Sequence, residues 1–140
     1  MAYFGEYSYS LDSANRVIAP SRFREQLGAE AILYRAPEGC LFLYDAPGFE
    51  QILASVKGYA KTELGREKLR LFYSDVSAVS VDRNGRFVIP AECIAHAGLK
   101  DDVIILGVNN HIELWDKAEY QKKLGGKEDA SEAEYPEIEF

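Results

Sequence analysis

The 140-residue sequence has two cysteines, two histidines, one tryptophan and one methionine, and no apolar run approaching the ~20 residues that a membrane-spanning helix needs. So little cysteine excludes a disulfide framework. Cys40 and Cys93 lie far apart at unrelated places in the pattern described below, and each reads as a buried, reduced thiol packing as a small hydrophobe. A zinc site would take four ligands at characteristic spacings, whereas Cys93-x-x-His96 offers two, with only Cys40 and His111 to recruit. No metal and no cofactor are expected. The chain begins MAYFGEYSYS, without a basic segment leading into an apolar stretch, so a cytoplasmic protein is expected rather than a secreted one.

Positive charge is also scarce. Sixteen Lys and Arg against 23 Asp and Glu give a net charge of −7, which on its face disfavours a nucleic-acid partner, because phosphate contacts need cations. The deficit is local. Glu128, Asp129, Glu132, Glu134, Glu137 and Glu139 lie in a final segment with no base, and subtracting those six leaves residues 1–127 at −1. A nearly neutral body leaves room for a basic face, and the acidic segment itself reads as too polar to fold.

What the sequence does have is a repeat. Shifted by 70 residues, Leu11-Asp12-Ser13-Ala14-Asn15-Arg16-Val17-Ile18-Ala19-Pro20 falls on Val81-Asp82-Arg83-Asn84-Gly85-Arg86-Phe87-Val88-Ile89-Pro90, matching Asp, Arg and Pro. Gly28 falls on Gly98, and one residue of adjustment brings Leu41–Asp45 onto Ile112–Asp116 and Phe49 onto Tyr120. Tyr7, Tyr9 and Leu11 alternate with polar residues, as do Val79 and Val81, the period-two pattern of a half-buried strand.

Each strand then meets a turn. Asn84-Gly85 is a strong hairpin signal because both residues tolerate positive φ, and Asn15 can enter the left-handed region in the other copy. Two hairpins are expected, with Arg16 and Arg86 leaving their tips. Pro20 and Pro90 suit the first turn of short helices that Gly28 and Gly98 end. Strand pairs at 31–34 with 40–44 and 103–108 with 111–115 complete a ββαββ order in each copy. Between the copies, Phe49, Ile52, Leu53, Val56 and Ala60 recur at helical spacing, with Gly58 and Gly65 expected to divide a two-helix linker. A last helix is predicted at 117–124. The chain thus reads as repeat 1 at 5–47, a helical linker at 48–75, repeat 2 at 76–119, and a helix end with an acidic tail at 120–140.

An Asp-x-x-x-Arg turn followed by Pro four residues after the Arg, present twice at this separation, resembles the MraZ family of the AbrB/SpoVT superfamily. Gly5-Glu6-Tyr7, Phe23-Arg24, Gly39-Cys40-Leu41-Phe42 and Ile112-Glu113-Leu114-Trp115-Asp116 support the match in order, and it covers roughly residues 1–124. The resemblance implies an α+β fold in which the repeats interleave into a swapped-hairpin β-barrel. It further implies a homo-oligomeric ring, of eight subunits, associated with the nucleoid. Such a ring would bind tandem repeats in the promoter of the division and cell-wall gene cluster on double-stranded DNA, as a repressor. Carried over, the DNA-binding residues are Asp12 and Arg16 in one copy and Asp82 and Arg86 in the other.

Arg22 and Arg24 add charge beside the first turn, where their counterparts are Glu92 and Ile94, and Arg83 adds charge to the second. The first turn departs from the family's commoner Asp-x-Lys-Gly-Arg and lacks its lysine. Two rival readings are an enzyme using Asp12 or Asp82 with His96 or His111, and an antitoxin-like interaction module. The first lacks any nucleophile–base–orienter set, and the second would need only one repeat and a toxin-binding tail. Deleting residues 127–140 is expected to tighten DNA binding at low salt if the acidic segment repels phosphates. A mobility shift showing unchanged affinity would leave that segment as a solvating extension only.

Overall fold

The computed structural model describes residues 2–125, and its elements follow the repeat. The first copy comprises β1 (Tyr3–Ser10), β2 (Arg16–Ile18), α1 (Ser21–Leu27), β3 (Glu30–Arg35) and β4 (Leu41–Asp45). Then α2 (Ala46–Val56), a 3-10 turn (Lys57–Lys61) and α3 (Glu63–Ser74) lead to the second copy. That copy is β5 (Val76–Ser80), β6 (Arg86–Val88), α4 (Ala91–Ala97), β7 (Asp102–Asn109) and β8 (His111–Asp116), followed by α5 (Lys117–Leu124). The α+β class and the ββαββ order of each copy are as the sequence predicts. The acidic segment lies outside the described residues.

Six strands form one antiparallel sheet in the order β1-β7-β8-β4-β3-β5, while β2 and β6 pair as a separate two-stranded ribbon. Exchanging each strand for its counterpart in the other repeat gives the same order read backwards. A pseudo-two-fold axis therefore passes between β4 and β8 and between β2 and β6. Each repeat lends its first strand to the other, β1 pairing with β7 and β5 with β3.

Two expectations about strand pairing need correction. The Asp-x-x-x-Arg turns close on themselves, with Asp12 N–H donating to Arg16 O and Asp82 N–H to Arg86 O, yet the flanking strands do not pair with each other. Neither turn is therefore the tip of a paired hairpin, because the returning strands spend their ladder bonds across the repeats. Nor is the main sheet closed: no ladder joins β1 to β5 among the described residues. Instead β2 touches β1 and β6 touches β5, so the ribbon packs between the two sheet edges without joining either ladder.

Local chemistry explains the boundaries. Pro20 and Pro90 cap the short helices, one residue before the predicted position, and their carbonyls accept the N–H groups of Phe23 and Cys93. Gly28 and Gly98 end those helices at positive φ, as expected. In the linker, Thr62 is the divider, its hydroxyl accepting the Gly65 N–H at 2.9 Å. Gly58 falls inside the 3-10 turn, and Gly65 sits inside α3, where a Cβ would overlap the Tyr59 carbonyl. Gly65 is thus a point of close approach rather than a break.

One core joins both repeats. Val17 and Phe87 from the ribbon, Phe23 and Leu27 from α1, and Cys93 and Ala97 from α4 pack with Leu33, Leu43, Ile105 and Leu114 of the sheet. Cys40 and Cys93 are free and buried, and burial pushes both thiols up, Cys40 to about 12. Tyr3 ties β1 to the linker, its buried hydroxyl donating to Asp45 Oδ2 at 2.6 Å while Asp45 Oδ1 accepts the Gly48 N–H and caps α2. Tyr3→Phe is expected to lower stability by about 1.5–3 kcal/mol, the value of a hydrogen bond to a charged group. Urea unfolding at neutral pH measures it, and an unchanged midpoint would mean the tie carries no net stability.

Candidate nucleic-acid interface

The ribbon is short, and its register decides what reaches the surface. Arg16 faces Val88, Val17 faces Phe87 and Ile18 faces Arg86, and the ladder extends through Ala19 N–H to Gly85 O (2.7 Å) and Ile89 N–H to Asn15 O (2.8 Å). Because successive side chains alternate between faces, Val17 and Phe87 enter the core while Arg16, Ile18, Arg86 and Val88 share the outer face. The two arginines sit on a diagonal about the pseudo-two-fold, roughly 7–8 Å apart by the usual spacing of such neighbours. Two turns 70 residues apart thereby contribute to one surface.

Each turn is organised by its aspartate. Asp12 Oδ1 accepts the N–H groups of Ala14 (2.9 Å) and Arg16 (2.8 Å), and Oδ2 accepts Arg16 Nε at 2.9 Å. Asp82 repeats the pattern with Asn84 N–H (2.9 Å), Arg86 N–H (2.9 Å) and Arg86 Nε (3.2 Å). Asn15 (φ 61°) and Gly85 (φ 82°) take the left-handed position, whereas Asn84 does not, so only one residue of the Asn-Gly pair has positive φ. The ion pairs use Nε, and among the described residues the terminal guanidinium nitrogens of Arg16 and Arg86 have no hydrogen-bond partner. Both arginine side chains are a little under half exposed, at 45% and 43%. Exposed pairs of this kind add little stability. Their effect is orientation: the fork that could meet two acceptors is held outward.

The other predicted residues are placed differently. Arg24 is half-buried, its Nε donating to Ala19 O at 3.0 Å, and it lies so close to Gly85 that a Cβ there would overlap it. It therefore braces the second turn from the first repeat. Arg22 sits over the Phe4 ring, 4.7 Å from the centroid. Arg83 is exposed beside Asp82. His96 donates through Nε2 to Ala36 O at 2.7 Å, and His111 lies between Asn110 and Glu113, so neither histidine meets Asp12 or Asp82 as the enzyme reading required. Sequence reasoning missed Ile18 and Val88. The period-two alternation from each Arg could have found them, but it is hidden because Val17-Ile18-Ala19 and Phe87-Val88-Ile89 are apolar throughout.

Fold and surface together define a class: an α+β chain of two strand-exchanging repeats that share a ribbon bearing one aspartate-braced arginine from each. Residues 2–68 and 72–137 match a family model whose description reads "MraZ protein" and adds the term antitoxin-like. A relative named "Transcriptional regulator MraZ" from Acetivibrio thermocellus is 36% identical over 132 residues, covering 94% of this chain and 92% of the relative. One of the same name from Deinococcus radiodurans is 36% identical over 135 residues (96% and 92%), and one from Finegoldia magna is 36% identical over 121 (86% and 85%). The chain belongs to the MraZ family. Its relatives carry regulatory names rather than enzymatic ones.

Both turn carboxyls are held below the ordinary aspartate value of 3.8, first by the backbone N–H of Arg16 for Asp12 and of Arg86 for Asp82. A carboxyl whose folded pKa lies below its unfolded one contributes stability that is full above about 3.8 and lost as pH falls through the folded value. Carbon-detected NMR titration of Asp12 and Asp82 is expected to give midpoints below 3.8. Midpoints at or above it would mean the turns are not closed on their carboxylates.

Proposed function

We propose that this chain is a sequence-specific, DNA-binding transcription regulator. In this reading it represses the division and cell-wall gene cluster through tandem promoter repeats. The observation that carries the proposal is the pair of arginines on one exposed ribbon face, each with a guanidinium end unbonded among the described residues and an aspartate to aim it. Arginine in this posture can donate two parallel hydrogen bonds to guanine O6 and N7, discriminating by ~1–3 kcal/mol per good pair. The transcriptional-regulator name of the relatives, covering most of this chain, supports the regulatory role. Within the described residues no helix is long and apolar enough to cross a membrane.

Two arginines on a nearly neutral body bind a duplex weakly as a monomer, which is the physical reason for a ring. Repeating the same face in eight subunits raises avidity by ~10²–10⁴ where the DNA offers sites at matching intervals. Strand exchange between the repeats supports the swapped-hairpin arrangement, since each first strand is paired in the other repeat. A regulator of this kind would act in the cytoplasm, on the nucleoid. Of the predicted contacts, Arg16 and Arg86 read bases, Asp12 and Asp82 aim them, Arg83 and Arg22 meet phosphates, and Arg24 acts through the second turn.

Arg16→Ala combined with Arg86→Ala is expected to abolish the mobility shift of promoter DNA across a salt series while leaving the oligomer mass unchanged. Retained specific binding would overturn the assignment. Loss of the oligomer would instead make the ribbon face a subunit contact.

A further inference from the structure

Ile18 and Val88 are apolar strand residues of the ribbon, yet both are exposed. Their ribbon neighbours Val17 and Phe87 are 1% and 2% exposed, whereas Ile18 and Val88 are 36% and 54% exposed. Each stands directly across the ladder from an arginine, Ile18 from Arg86 and Val88 from Arg16. The outer face is therefore a small mosaic: two guanidinium ends on one diagonal and two branched aliphatic groups on the other.

We infer that Ile18 and Val88 read thymine 5-methyl groups in the DNA major groove, Ile18 beside the base contacted by Arg86 and Val88 beside the base contacted by Arg16. This deepens, and rests on, the DNA-binding reading above. The major groove, about 12 Å wide, admits a two-stranded ribbon, and the thymine methyl is an apolar group displayed there beside the guanine acceptors. Residues two apart on one face of a strand lie roughly 6.5–7 Å from each other. That span is about two base steps at ~3.4 Å each, so an arginine and the aliphatic residue beside it on the same strand meet base pairs about two steps apart. Because the pseudo-two-fold relates Ile18 to Val88, the two methyls would lie on opposite strands.

The chemistry of the face favours DNA over a second copy of this chain. The guanidinium N–H groups that have no partner among the described residues need acceptors, and the Asp12 and Asp82 carboxylates are already engaged by the turns. An aliphatic or like-charged face would leave those donors unpaired on burial, at a cost that base edges and phosphates remove. Base edges supply acceptors and methyls together.

The test replaces thymine by uracil, which removes only the methyl. A duplex of about 24 base pairs is selected by the full chain from a random-sequence pool and made with thymine or with uracil throughout. Affinity is measured for the unaltered chain and for Ile18→Ala combined with Val88→Ala. Removing a methyl contact is worth about 4-fold, from the transfer free energy of one buried CH₂, so the unaltered chain should bind the uracil duplex about 4-fold to 15-fold more weakly. The double variant should bind the thymine duplex more weakly, lose nothing further with uracil, and keep its oligomer mass. Equal affinity of the unaltered chain for both duplexes overturns the inference, and so does a uracil penalty that persists in the variant. Loss of oligomer mass in the variant also overturns it, by making this face a contact between copies. Failure of any duplex to be enriched would instead overturn the DNA-binding reading on which the inference stands.

Discussion

The pairing of β2 with β6 is the constraint on which the surface chemistry depends. Each strand has three residues, too few to be stable alone, and each finds its partner 70 residues away in the other repeat. The pair is held by its ladder, by Ala19 and Ile89 bonding to the opposite turns, and by Val17 and Phe87 anchoring its inner face in the shared core. With the register fixed, a one-residue slip would send the arginines inward and the core residues out. The two outer arginines are therefore not independent sites on separate repeats. They form one surface, assembled only when both repeats fold together.

The two halves of that surface are supported unequally. In the second turn Gly85 takes the left-handed position and leaves space that Arg24 fills from the first repeat, bonding Ala19 as it passes. In the first turn the left-handed residue is Asn15, and the counterpart of Arg24 is Ile94, which packs against the core. A side chain at Asn15 and a shorter, apolar one at Ile94 are consistent with each other, as are a bare glycine and a long arginine. This physical asymmetry separates two turns that make the same hydrogen bonds, and among the described residues it gives the Arg86 turn a strut that the Arg16 turn lacks.

Much of this was legible in the letters. The duplication gave the element order, because Asp12, Arg16, Pro20 and Gly28 recur with their spacing intact, and the alternation of Tyr7, Tyr9 and Leu11 marked β1 as a strand. Asp12 and Asp82 were legible as turn residues because an aspartate there can accept N–H groups two and four residues on. Strand partners were not legible, since local turn chemistry suggests a hairpin whereas the partner of β2 is set by packing across the whole core. Gly65 misled for a related reason: glycine marks either a break or a close approach, and only the path of the Tyr59 carbonyl distinguishes them.

The central claim is that aspartate-braced arginines from both repeats meet guanines from the major-groove side. Dimethyl sulfate footprinting on a bound duplex tests it most directly, because the reagent methylates guanine N7 in the major groove and adenine N3 in the minor. The account predicts protection of guanine N7 at paired positions within each repeat of the site, with adenine N3 still reactive there. Reactive guanine N7 beside protected adenine N3 would place the ribbon in the wrong groove and contradict it.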